Sequence, residues 1–356
     1  MHESLSTKAS RGNFFEDFSI GQVLNHATPR TITSGDAAFY LALTGSRFVL
    51  SSSIEAAKSI GHDKQLVDDV LVFHIAFGKT VDDISLNAVA NLGYADIRFV
   101  EPVYVGDTIT VSSTVIGLRE NRNGKSGIVY VESVARNQND KLVLRWNRWV
   151  MVHKGKRDLA AIEAQVPELP KQVALENLRV PEQLDFSHLN FELSGGQNKF
   201  NDYQVGERID HIVGMTIDDS DHTLATKLYQ NNARVHFDAV HMQGSLFKQR
   251  LIYGGHIISI CRALSFNGLE NAVNILAING GSHAAPTFAG DTIYALSEVL
   301  EKIELPGRND VAALRLKTWG VKNLAAGKVD QFFDTDNKKY HSNVVLELDY
   351  TVLIPR

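Results

Sequence analysis

The segment Tyr229-Gln-Asn231-Asn-Ala-Arg234-Val-His236-Phe-Asp238 gathers an amide, a guanidinium, an imidazole and a carboxylate, and Gly254-Gly255 follows where an apolar helix should begin. An imidazole takes up and releases protons near neutral pH. An amide holds and orients water by hydrogen bonding but cannot exchange a proton as a carboxylic acid does. Two residues without side chains at a helix start leave the main-chain N–H unobstructed, and the helix dipole helps it meet negative charge developing on an oxygen. Each feature also has a plainer use: a histidine packed or at the surface, an asparagine closing a turn, a glycine pair easing a loop-to-helix bend. The residue types therefore offer a base and an anion-binding position, and the elements around them decide whether the two meet.

Those elements belong to a chain of 356 residues with 44% apolar content, enough for a large core and for two units of ordinary domain size. The 36 Lys and Arg against 41 Asp and Glu are spread without long single-sign runs, which excludes a field suited to nucleic acid or an anionic membrane. The chain has no apolar stretch of membrane-spanning length, and its start, MHESLSTKASRGNFFEDF, lacks the apolar core of a signal peptide, so a cytoplasmic protein is expected. The single cysteine, Cys261 in IISICRAL, excludes an internal disulfide and a zinc thiolate cluster and reads as a buried apolar residue.

The chain repeats itself. Phe18-Ser-Ile-Gly21-Gln matches Tyr203-Gln-Val-Gly206-Glu, Thr31-Ile32 matches Thr216-Ile217, and Asp36 matches Asp221, each 185 residues apart. Pro102-Val-Tyr-Val-Gly106-Asp107-Thr108-Ile109 answers Pro286-Thr-Phe-Ala-Gly290-Asp291-Thr292-Ile293 at an offset of 184. Three matches in one order and near-constant register indicate a tandem duplication. Residues 156–196, with three of the eight prolines, read as a connector crossing the surface between copies at 1–155 and 197–356.

Within each copy the order is a lead strand, a short helix, a loop, a longer apolar helix and several strands. Thr108–Ile116, Gly127–Ala135 and Leu142–Val152 are rich in β-branched and aromatic residues, as are Thr292–Leu300, Val311–Trp319 and Asn343–Leu353, with Asn137-Gln-Asn-Asp140 as a turn. Ile252–Phe266 is apolar on nearly every face, as a helix covered on most sides would be. An antiparallel sheet enclosing one buried helix, twice over, is an α+β double hot dog fold. Asp36 and Asp221, ahead of helical segments, read as N-cap groups.

The ordered set Tyr229-Gln-Asn231-Asn-Ala-Arg234-Val-His236-Phe-Asp238, Ile252-Tyr253-Gly254-Gly255-His256 and Pro286-x-x-x-Gly290-Asp291-Thr292 resembles the MaoC-like, or enoyl-CoA hydratase 2, family. More narrowly, Leu43-Thr-Gly-Ser-Arg-Phe48, Asp68-Asp-Val-Leu-Val-Phe-His74 and the stretch from Phe77 to Tyr94 resemble the amino-terminal half of mesaconyl-CoA hydratases, also called β-methylmalyl-CoA dehydratases. The resemblance implies an acyl-CoA hydro-lyase acting without metal or redox cofactor, with mesaconyl-C1-CoA hydrated reversibly to erythro-β-methylmalyl-CoA. It also implies a dimer or higher homo-oligomer.

The resemblance makes His236 the base and Gly254, with Gly255, the donor to the thioester oxygen. Asn231 stands where the family keeps an aspartate, so its expected role is to hold the water while His236 moves the proton, with Asp238 or a water as a possible assistant. Asp238 itself reads as structural, and His256 and His283 receive no role. At the 185 offset Asn231 falls on Ser46 and His236 on Ser51, so the first copy is expected to be catalytically silent. The substrate's second carboxylate needs a cationic partner, for which Arg234 and Arg47 are the candidates. An (R)-specific hydratase of simple enoyl chains, a hot dog thioesterase and a non-catalytic acyl-CoA-binding module are the competing readings.

Overall fold

The computed structural model describes residues 8–155 and 163–356; the first seven residues of the stretch read for a signal peptide and residues 156–162 of the connector lie outside these. The first copy begins with β1 (Val23–Thr31) and α1 (Ser34–Thr44), then two short helices, α2 (Val49–Ser52) and α3 (Ile54–Ser59), before the apolar helix α4 (Asp69–Lys79). Strands β2 (Ala88–Phe99), β3 (Thr108–Glu120), β4 (Ser126–Arg136) and β5 (Leu142–His153) follow. After a short connector helix α5 (Phe191–Ser194), the second copy runs β6 (Arg208–Asp210), β7 (Met215–Thr216), α6 (Asp219–Tyr229), the short α7 (Arg234–Phe237) and α8 (Ala239–Gln243), and α9 (Gly254–Leu264). It ends with β8 (Asn274–His283), β9 (Thr292–Ile303), β10 (Val311–Lys322), a small hairpin β11 (Phe333–Asp334) with β12 (Lys339–Tyr340), and β13 (Val344–Pro355).

All strands except the hairpin join one antiparallel sheet in the order β1-β3-β4-β5-β2-β8-β13-β10-β9-β6, with β7 also on β9. The halves of that order mirror each other, and the copies meet where β2 pairs β8, Tyr94 opposite Gly281 and Arg98 opposite Ala277. Each half curls around its apolar helix. Nearly every residue of α4 and α9 is buried, because a helix walled on all sides has no face to give to water. One core runs through both copies, with Phe73, Phe77 and Trp146 from the first continuous with Ile257, Ile260 and Leu316 from the second.

The duplication extends to buried polar contacts. His26 Nε2 lies 2.8 Å from the Ser113 hydroxyl, and its counterpart His211 Nε2 lies 2.8 Å from that of Ser297. His74 and Ser259, themselves 185 apart in sequence, touch each other where α4 and α9 meet, Nε2 to Oγ at 2.9 Å. Helices α4 and α6 also cross closely: a Cβ on Gly78 would stand 1.9 Å from the Tyr229 carbonyl oxygen. Gly78→Ala must push backbone apart and should lower stability by roughly 1–3 kcal/mol, read as a fall in Tm.

Three expectations are adjusted. The lead strand is continuous in the first copy but split into β6 and β7 in the second, where Ile212 takes a left-handed φ of +67°. Asp36 and Asp221 sit inside the first helical turn, not ahead of it, and accept from the backbone N–H of Thr33 and Asp218 in capping boxes. The connector does more than cross the surface: Leu184, Phe186 and Leu189 are buried against Val49, Leu50, Ile60 and Val273, because their apolar side chains complete a second cluster.

Candidate active site

The Asn231 loop is made by the end of α6. Gln230 turns the chain with a left-handed φ of 53°, and the first copy secures the turn from below, Lys79 Nζ donating to Gln230 Oε1 at 2.6 Å and Asn232 Nδ2 to Asp82 Oδ1 at 2.5 Å. Asn231 is buried, and its Oδ1 accepts from the Ala233 N–H at 3.2 Å, which opens α7. The geometry thus gives Asn231 the turn-forming role directly, while its side chain also lies on a cavity wall.

That cavity has a volume of about 380 Å³ and draws its walls from both copies. His236, on the single turn of α7, donates from Nδ1 to the Leu251 carbonyl at 2.8 Å. The bond fixes the tautomer and leaves Nε2 with a free lone pair. Burial holds the imidazole below its usual pKa of 6.5, at about 4, so at pH 7 it is neutral and able to accept a proton. Its ring rests on Tyr253, 5.5 Å between centroids.

Tyr253 is the N-cap of α9 and provides no side-chain cap; the His256 N–H turns back to the Tyr253 carbonyl at 2.9 Å, and the Gly254 N–H is left without a capping side chain. Gly254 lines the cavity, and His283 covers it: a Cβ on Gly254 would lie 2.5–2.7 Å from the His283 ring. The Tyr94 hydroxyl in turn is hydrogen-bonded to His283 Nε2 at 3.0 Å. Burial lowers the pKa of His283 to about 4, and a proton on His236 across the same space would lower it further. Gly255 lies one layer deeper, pressed under the Tyr253 and His74 rings, and is not among the cavity-lining residues.

The structure therefore gathers His236, Asn231, Gly254 and Arg234 around one cavity, with Arg234 exposed at its rim. It does not bring Arg47 there. Arg47 stacks over the Phe266 ring at 4.6 Å, beyond the far end of α9, roughly 16 Å of helix from Gly254. Asp238 caps α8 through the His241 N–H at 2.9 Å and is also not a lining residue. Sequence reasoning passed over Tyr94, Tyr253 and His283, and above all Arg148, which is fully buried and lines the cavity from β5. Its signal was its phase: Trp146, Arg148, Val150 and Val152 alternate inward on one strand. Among the described residues no cluster of three or more His, Cys, Asp or Glu is arranged to hold a metal ion.

At the related place in the first copy the space shrinks to about 10 Å³, between Ser51, Asp68, Asp69 and Arg262. Asp68 and Asp69 stand where the second copy has Tyr253 and Gly254. Asp68 Oδ1 accepts from the Val70 N–H at 2.9 Å, so the helix caps itself. Asp69 Oδ2 accepts from the Ile275 N–H at 2.8 Å, and burial beside Asp68 raises its pKa to about 7. A helix start that offers its amides in one copy spends them internally in the other.

Comparison with known proteins agrees with this architecture. A family model described as mesaconyl-CoA hydratase matches residues 3–323. The chain is 52% identical over 352 residues to a β-methylmalyl-CoA dehydratase of Chloroflexus aurantiacus, covering 99% of each, and 49% identical over 351 residues to a mesaconyl-CoA hydratase of Cereibacter sphaeroides, covering 98% of this chain and 100% of that one. Among solved structures, a putative MaoC domain dehydratase from Chloroflexus aurantiacus superposes with a TM-score of 0.95 at 52% identity, covering 99% of both chains. A conserved hypothetical protein of Mycobacterium tuberculosis described as a double hot dog fold superposes at 0.77 with 23% identity over 96% of this chain and 98% of that one, which bears on the fold alone. The helix-in-sheet repeat, the cavity at the start of the second buried helix and these matches lead to one assignment: the chain belongs to the mesaconyl-CoA hydratase family of MaoC-like, double hot dog hydro-lyases.

Proposed function

We propose that the protein hydrates mesaconyl-C1-CoA reversibly to erythro-β-methylmalyl-CoA in the cavity between Gly254 and His236, and that the first copy is catalytically silent. The supporting observation is that His236 is held by the Leu251 carbonyl with Nε2 free, in the same cavity as the uncapped start of α9. Addition of water to an α,β-unsaturated thioester places negative charge on the thioester oxygen as the C–O bond forms at the β-carbon. Gly254's N–H, at the positive end of the helix, stabilises that oxygen. His236 Nε2 takes the proton from the attacking water, and the resulting imidazolium returns it to the α-carbon on the same face, a syn addition. Asn231 shapes the loop and presents its amide to the water; it cannot trade the proton.

Silence of the first copy follows from Ser46, Ser51 and Asp69 at the places of Asn231, His236 and Gly254, and from a space too small for an acyl group. Arg234 at the rim is suited to the CoA portion, where solvent reaches it. Exposed Val240 and Leu246, 77% and 90% accessible beside this rim, favour a homo-oligomer, which light scattering would measure. Among the described residues no helix is long and apolar enough to cross a membrane.

The deciding experiment is mass spectrometry after incubation with mesaconyl-C1-CoA. A gain of one water with the thioester intact supports hydration, while free thiol indicates a thioesterase. Crotonyl-CoA turned over as efficiently as mesaconyl-C1-CoA would favour the simple enoyl hydratase. A further expectation concerns pH. Because His236 is depressed from 6.5 to about 4, its neutral, basic form persists well into acid, and the acid limb of kcat/KM should fall nearer pH 4 than pH 6.5. A limb near 6.5 would show that the imidazole keeps its ordinary pKa in the free enzyme.

A further inference from the structure

We infer that Arg148 of the first copy binds the free carboxylate of the acyl group and so selects a dicarboxylic monothioester over a simple enoyl thioester. The inference rests on the hydration reading above. Arg148 is 0% exposed on β5, and its guanidinium lies over the Phe77 ring at 4.4 Å. Among the described residues none of its Nε, Nη1 and Nη2 groups has a hydrogen-bond partner, and the titratable groups that interact with it are the Tyr94 and Tyr253 hydroxyls and the His26 imidazole, not carboxylates. A buried, unpaired guanidinium is a large cost that the fold alone does not offset. Ligand binding can offset it: the planar N–H fork matches a carboxylate in bidentate geometry.

Arg148 lines the same cavity as His236 and Gly254. In a monothioester of a four-carbon unsaturated diacid the free carboxylate is borne by the β-carbon. With the thioester oxygen at Gly254 and the β-carbon at His236, the carboxylate lies one bond beyond the attacked carbon, deeper in the cavity. The other candidates do not fit: Arg234 is exposed at the rim, and Arg47 is engaged with Phe266. Nor is the arginine a scaffold feature. Arg148 pairs across the sheet with Val131, and the corresponding pair in the second copy is Tyr350 with Leu316. The Tyr350 hydroxyl is satisfied by Thr318 Oγ1 at 3.1 Å.

The test compares mesaconyl-C1-CoA with tiglyl-CoA, in which a methyl group replaces the carboxylate, on wild-type, Arg148→Met and Arg148→Lys full-length proteins. Arg148→Met should lose about 10²- to 10³-fold in kcat/KM for mesaconyl-C1-CoA and keep or improve its rate on tiglyl-CoA. Its Tm should equal or exceed that of the wild type, since an unpaired buried charge has gone; a structural arginine would give the opposite shift. Arg148→Lys retains the charge without the fork, so it should lose roughly tenfold or more on mesaconyl-C1-CoA alone, and it carries the test if the methionine variant does not fold. Equal losses on both substrates, or a mesaconyl rate within tenfold of wild type in Arg148→Met, would overturn the assignment of Arg148 while leaving the hydration reading in place. Wild-type turnover of tiglyl-CoA without mesaconyl-C1-CoA would overturn the substrate reading itself, and the role of Arg148 with it.

Discussion

His236→Ala should lower kcat by roughly 10²- to 10⁴-fold, the scale of a general base, with the thermal transition nearly unchanged. The size follows from what His236 does alone. Tyr253 and Asn231 stand beside it on the cavity wall, where His283 is engaged at Nε2 with the Tyr94 hydroxyl at 3.0 Å and His153 and His241 also lie. The fold should tolerate the change because the imidazole is only half-buried and makes one hydrogen bond, to Leu251. KM should move little, since water activation contributes to the transition state more than to the bound substrate. A folded variant within tenfold of wild type would remove His236 from the role of base.

Gly254→Ala is expected to cost roughly 10²- to 10³-fold in kcat, comparable to the loss of an oxyanion donor. Backbone strain is not the cause, for Gly254 opens a regular α-helix. The added methyl group would lie 2.5–2.7 Å from the His283 ring, against the wall where the thioester oxygen must approach. Either His283 moves and its bond to Tyr94 breaks, or the start of α9 retreats and takes the N–H with it. Both outcomes raise the barrier with modest effect on stability, and steady-state kinetics beside a melting curve separates them from unfolding. Full activity in Gly254→Ala would show that the oxyanion is stabilised elsewhere.

Much of this architecture is legible in the sequence because it rests on local chemistry. The strand patterns at Thr108, Val311 and Val344 and the all-apolar helices depend only on side-chain period, and the 185-residue register carries α1 onto α6 and α4 onto α9. His236 and Gly254 were legible because they sit within a motif. Arg148 was not, because its meaning depends on what lies across the fold. Its phase with Trp146 and Val150 is readable along the strand, but only three dimensions show that Phe77, not a carboxylate, lies over it. Arg47 illustrates the reverse, a cation chosen for its type that the fold assigns to the Phe266 ring. The split lead strand of the second copy likewise depends on backbone conformation near Ile212, which composition does not reveal.

The two copies also show how duplication creates room for specialisation. Tyr253-Gly254 in the second copy corresponds to Asp68-Asp69 in the first, and this exchange leaves one helix start open on the cavity, while in the other Asp68 caps the helix and Asp69 ties it to β8. The first copy also supplies wall: Phe77, Asn91, Tyr94 and Arg148 all line the cavity at the start of α9.

A crystal structure of His236→Ala with β-methylmalyl-CoA bound is the most direct measurement. It should place the thioester oxygen about 2.7–3.1 Å from the Gly254 nitrogen, with the β-hydroxyl directed at the space vacated by the imidazole. A thioester seated away from the start of α9, or a hydroxyl turned from residue 236, would contradict the proposed hydration chemistry.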